Sequence, residues 1–185
     1  AVVAAEQWAA GLARVETAID GVQAFLGNLG LDLRLPASRS LVRHLVRILA
    51  ASAQATGHDF AFTDLYAISQ NTQILRAFLG DLADLAHRLD QQAQDSIAYL
   101  AGQLDGDVSY VQVVTVLSMM RTTLSPLRGG ALHALCQPPF LDASQALRQP
   151  GLFLVPMTNA DFPEYDRFLA ALLALTLNRV LTAHH

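Results

Sequence analysis

Arg39, Arg43 and Arg47 recur at every fourth position of one segment, with Arg34 just upstream. On a helix this spacing stacks guanidinium groups along one face, where they can meet successive phosphates or the carboxylates of a protein partner. The plainer alternative is a solvated helix face balanced by nearby acids. Asp81, Asp84 and His87 fall at spacings of three, which on a helix could offer ligands to a metal. A closed structural site needs about four ligands, and nothing else in the sequence converges on these three, so an exposed polar face is the favoured reading.

The other reactive side chains read as structural. His58-Asp59 lies in a polar turn, and His44 and His133 read as core or boundary histidines. No G-x-S-x-G or H-E-x-x-H spacing accompanies them. Cys136, the sole cysteine, sits in an apolar stretch beside "QPPF" and reads as a small buried hydrophobe. It cannot form an internal disulfide, which fits a reducing compartment. Met119-Met120, with Val113, Val116 and Leu117, could offer an adaptable surface to a partner helix, but core packing is preferred. No catalytic residue, metal ligand or cofactor-binding residue is assigned.

Composition bounds the partner. The net charge is -4 and all 12 basic residues are arginine, which excludes the broad cationic coat that clamps nucleic acid through many phosphates. A local arginine stripe survives that exclusion, and a protein partner fits it at least as well. With 52% hydrophobic and 15% charged residues, the chain carries enough apolar material for a substantial core. Its length suits one domain with an appended piece of another. The longest apolar run, residues 168–177, is shorter than the roughly 20 residues that cross a bilayer. Glu6 interrupts an N-terminus that lacks a basic leader, so no signal peptide is expected.

The elements that must position these residues are helical. Trp8, Leu12, Val15, Ile19, Val22 and Leu26 predict a helix over about residues 4–26. Pro36 opens a second one, with Leu41, Leu45, Ile48 and Leu49 on its apolar face, and Gly57 stops it. Thr63 is expected to cap a short third helix. From Thr72 to Leu104 the apolar residues keep helical spacing over many turns, predicting the longest helix of the chain, kinked near "DQQAQD". Asp107 or Ser109 should cap the next, and Pro126 with Gly129-Gly130 should interrupt its far end. After "CQPPF" the texture changes. "LFLV", bounded by Gly151 and Pro156, predicts a buried strand, and residues 163–183 predict a final helix with Pro163 in its first turn. A lone strand leaves its backbone groups unpaired, so this strand–helix unit reads as part of a sheet supplied from outside the sequence.

The segments "SRSLVRHLVRILAASAQATGHDFAFTDLYAIS", "VVTVLSMMRTTLSPLRGGALHALCQPPFLDASQALRQPGLFLVPM" and "DRFLAALLALTLNRVL" are, in their order and pattern, similar to the middle section of type IV secretion coupling proteins of the TraG/TraD kind, hexameric DNA-translocating ATPases. The resemblance runs over residues 36–183. Phe62-Thr63-Asp64-Leu65-Tyr66, Ser125-Pro126-Leu127, Leu141-Asp142-Ala143, Pro150-Gly151-Leu152 and Leu169-Ala170-Ala171-Leu172-Leu173 fill the family's places. It implies a mainly α, multi-helix bundle of about six to seven helices, the all-α domain inserted into the family's nucleotide-binding domain. Residues 1–149 would form the substrate-recognition domain and residues 150–185 the strand–helix return toward the ATPase core.

The chain departs from the parent pattern at the phosphate loop: no G-x-x-x-x-G-K-[ST] occurs, and without lysine none could. ATP and Mg would therefore belong to the parent's other domain, and this piece would not be an enzyme by itself. The resemblance further implies a cytoplasmic location at the inner face of the bacterial membrane, without membrane contact of its own. Implied partners are a relaxase–DNA complex, a secreted protein cargo or its adaptor, DNA itself, and the other subunits of a hexamer. On this reading Arg34, Arg39, Arg43 and Arg47 are the nucleic-acid or partner-binding candidates. An independent helical adaptor for protein–protein interaction is the alternative.

Overall fold

The computed structural model describes residues 2–57 and 61–128, together with Ala170, Ala171 and Ala174. Among the described residues up to Arg128, six α-helices follow one another: α1 (Val2–Asn28), α2 (Pro36–Thr56), α3 (Phe62–Ile68), α4 (Thr72–Asp84), α5 (Gln91–Asp105) and α6 (Asp107–Thr123). Short 3-10 turns at Ala86–Arg88 and Ser125–Arg128 complete the set. The mainly α multi-helix bundle expected from the periodicity is thus what forms. No strand occurs among the described residues; the expected strand at residues 152–155 lies outside them, as do most of the final helix expected over 163–183, His58-Asp59, Gly129-Gly130, His133 and Cys136.

The bundle is organised around α2, which packs most extensively on α5 and α1 and also meets α3 and α6. The reason is its apolar width: Leu41, Val42, Leu45, Val46, Ile48 and Leu49 are all buried, covering more of the helix circumference than a one-sided surface stripe would. Ile19, Val22, Phe25 and Leu26 of α1 meet it from one side, and Leu100 and Leu104 of α5 from another. The Phe25 and Phe62 rings, tilted by 40° at 4.5 Å between centroids, join α1 to α3. Ala171, far along the chain, is buried in the same core.

The helix ends are chemically specified. After α1, Gly30 adopts φ 97°, Leu31 N–H bonds to Leu26 O at 3.0 Å and Gly30 N–H to Gly27 O at 3.0 Å, a Schellman closure that needs a residue tolerant of the left-handed region. The same freedom is used at Gly57, φ 74°, whose N–H bonds to Ala53 O and ends α2 as its position predicts.

Three expectations need correction. The segment from Thr72 to Leu104 is two helices and not one kinked helix, and α1 is longer than either. Asp90 is the cause: its Oδ1 accepts the Ala93 N–H at 2.7 Å and starts a new helix. The Gln94 amide then donates to the connector's Ala86 and Leu89 carbonyls. Apolar spacing runs on across the break because α4 and α5 line the same core. Thr63 does not cap α3. Ala61 holds the cap position, and its N–H is taken by Asp64 Oδ2 at 2.9 Å. Neither Asp107 nor Ser109 caps α6, whose N-cap is Gly106; the Ser109 hydroxyl turns back to the carbonyls of Gln103 and Gly106 at 2.9 and 3.2 Å.

Candidate partner-binding surfaces

The four candidate arginines lie on one side of α2 and its lead-in, but they divide into two pairs. Glu16 of α1 faces the second pair: Arg47 Nη2 bonds to its Oε1, and Arg43 Nη2 lies 3.6 Å from its Oε2. The Arg47 side chain is only 14% exposed, and its Nε is buried without an acceptor. Arg47 is therefore a seam residue between α1 and α2. Upstream, Arg39 Nε donates to Leu33 O at 3.2 Å and Gln23 of α1 donates to Arg39 O at 2.9 Å, fixing the entry to α2. Both Arg34 and Arg39 are exposed, and neither forms an ion pair among the described residues. Glu16 is one carboxylate against two arginines, while upstream the Asp32 carboxylate accepts the Arg34 backbone N–H at 3.0 Å and adds an acid beside the first pair.

His44 sits on the neighbouring face of α2 and joins it to α5. Its ring stacks on Tyr99, 4.1 Å between centroids at 28°, and its Nδ1 lies 3.0 Å from Ser96 Oγ. Partial burial, then the charges of Arg47 and Arg43, hold its pKa below the ordinary value. This is the boundary role expected of it. Asp81 and Asp84 fall on exposed positions of α4, but His87 lies beyond the helix end in the 3-10 turn, where Arg88 Nε meets its Nε2 at 3.3 Å. The helical register that would align the three side chains is broken, and no metal-ligating cluster occurs among the described residues. Met120 is fully buried and Met119 packs against the core, as preferred on sequence grounds.

One surface escaped the sequence reading. Val108, Val111 and Val114 on α6 are 76%, 63% and 41% exposed, and with Thr115, Ser118 and Thr122 they form a row free of charge. The row leads into a shallow depression of about 520 Å³ between α6 and the Gly30-Leu31 turn. Valines at spacings of three were legible, but Val113, Val116 and Leu117 lie between them and are buried. An α6 apolar all round hides which side faces the core.

Among the described residues no helix is long and apolar enough to cross a membrane. Comparison of the chain with protein-family models, with curated proteins and with solved structures returned no match.

Proposed function

We propose that this chain is a helical recognition domain, non-catalytic by itself, that engages a protein partner through the exposed face of α6. The observation that supports it is the uncharged row Val108, Val111, Val114: β-branched side chains held out in water at helical spacing on an otherwise well-packed bundle mark a surface built to be covered. In its finer form the proposal is that the domain is the all-α recognition domain of a type IV secretion coupling ATPase. It would face the cytoplasm and receive a secreted cargo, its adaptor or a relaxase–DNA complex, while ATP and Mg are handled by the parent's nucleotide-binding domain. That finer reading rests on the sequence resemblance over residues 36–183.

Two measurements test the two levels. The coding sequence on either side should supply a phosphate loop upstream and a strand ending in paired acidic residues downstream; flanks without them overturn the coupling-protein reading. Val111→Asp should leave the thermal midpoint unchanged, because the side chain is exposed, while weakening capture of a cargo, adaptor or relaxase encoded at the same locus. Unchanged capture overturns the role of α6.

The burial of Ala171 in the bundle core favours a second reading, an independent helical adaptor whose C-terminal segment packs on its own bundle. Deletion of residues 150–185 separates the two: a bundle that melts cooperatively as before supports the return-segment reading, and loss of several kcal/mol of stability, the scale of a removed core element, supports the adaptor.

A further inference from the structure

The last turns of α2, with α3 and the first turns of α4, leave a groove of about 600 Å³, a size typical of binding sites, which run from roughly 300 to 1,000 Å³. Its lining is largely apolar, with Leu49 and Ile68 buried and an alanine from each helix, Ala53, Ala67 and Ala77. Ile74 stands at the edge, 41% exposed. Two carboxylates, Asp64 and Asp81, line it, and no arginine or histidine does among the described residues. Asp64 is held in place by the Ala61 N–H, and neither acid forms an ion pair among the described residues. Arg76, the basic residue of α4, is turned to the end of α5, donating to Leu104 O and to Asp105 at 2.8 Å.

We infer that this groove docks a cationic amphipathic helix of a partner protein, its apolar face on the apolar lining and its Arg or Lys side chains on Asp64 and Asp81. Small side chains let a second backbone come close, and an open trough walled by helices suits a helix laid along it. The sign of the charge selects the occupant. Two unneutralised carboxylates repel phosphate, which disfavours nucleic acid and the anionic surface of a bilayer, and they reward a basic partner. Among the described helices the one with a row of arginines, α2, already spends its apolar face in its own core, so it is not the element a second copy would lay in the groove. The inference uses a different set of helices from the α6 row and stands or falls apart from it.

The test is fluorescence anisotropy of the full chain with a labelled synthetic peptide of about 14 residues, roughly four helical turns, carrying leucine at i, i+3, i+4 and i+7 with flanking arginines. Saturable binding is expected, weakened about tenfold by Asp81→Arg, the reversal of a rim charge, and lost on Ala77→Phe, which narrows the groove. Thermal midpoints of both variants should match the parent, since both positions are exposed. Val111→Asp should bind the peptide as the parent does. Equal affinity for Asp81→Arg, equal binding of a peptide with glutamate in place of arginine, or no binding at millimolar concentration each overturn the inference. So does a dimer of the chain alone that Asp81→Arg dissociates, since the occupant would then be a second copy.

Discussion

Nδ1 of His44 donates to Oγ of Ser96 across 3.0 Å. The direction follows from proton counting: the serine hydroxyl has one hydrogen, and it is directed at the Gln92 carbonyl at 2.8 Å, so Oγ can only accept from the ring. The neutral histidine is therefore the Nδ1–H tautomer, and protonation adds a proton at Nε2 without breaking the link between α2 and α5.

Acid should nevertheless destabilise the bundle through this residue. The cost of charging the ring arises from its burial beside Tyr99 and from the Arg47 and Arg43 charges; Glu16, across the α1 seam, is shared by both arginines. The pKa is lowered in the folded state, so between that value and the unfolded one, near 6.5, the unfolded chain binds more protons. Stability is fully present above the unfolded value and falls as pH drops through it toward the folded one. Urea midpoints measured from neutral pH downward should decline through this window, and His44→Gln should flatten the decline. An identical pH profile for the variant would remove His44 from the account.

Ser96 is fully buried, and its hydroxyl is the acceptor that His44 uses. Ser96→Ala leaves the Nδ1–H of a half-buried ring without that partner, at a cost of about 1–2 kcal/mol. In a His44→Gln background the same substitution should cost less, because the imidazole donor is already gone. Denaturant titration of the four proteins gives the coupling; additive effects would mean that the bond contributes nothing.

The α1–α2 seam should respond asymmetrically. Glu16 serves two arginines, and removing it strands the largely buried Arg47 charge, so Glu16→Ala should cost about 1–3 kcal/mol. Arg47→Met keeps the packed stem and deletes a guanidinium whose Nε already lacks an acceptor, so it should lie within about 1 kcal/mol of the parent on either side. Equal losses for the two variants in urea melts would contradict this assignment.

These relationships mark the limit of the sequence as a guide. Bundle class, the apolar face of α1 from Val15 onward and that of α2, the stop at Gly57 and the burial of Met120 were all readable, because each depends on local periodicity or on one residue's backbone freedom. The break between α4 and α5 was not, since a shared core keeps the apolar rhythm running through a capped chain break. The arginine row was visible as a row, but its division into seam and surface depends on Glu16, which lies in another helix. Periodicity places a side chain on a face and carries no information about which carboxylate waits opposite. The α6 row was hidden for the opposite reason: valine on every side leaves no contrast to read.

Gly57 offers a test of a backbone-only effect. Its φ of 74° lies in the left-handed region, and a Cβ there would meet no described residue within 4 Å, so the cost of Gly57→Ala is conformational, about 1 kcal/mol. Gly57→Asn should recover part of it, because asparagine tolerates that region better than alanine does. Thermal melts in which alanine and asparagine are equivalent would argue against a left-handed close of α2.

Contact with DNA, if the domain makes it, should pass through Arg34 and Arg39. Arg47 is committed to Glu16 and Arg43 shares that carboxylate, which leaves two guanidinium groups of the row without an ion pair among the described residues, on a chain of net charge -4. Each phosphate neutralised contributes a slope of about -0.9 to the log–log dependence of duplex affinity on salt. The expected result is weak binding with a shallow slope of about -2, reduced by roughly one unit by Arg34→Gln or Arg39→Gln and unchanged by Arg47→Met. A steeper slope, or one that Arg47→Met also reduces, would mean that the seam opens to release its buried arginine to the phosphates, and the division of the row into seam and surface would fail.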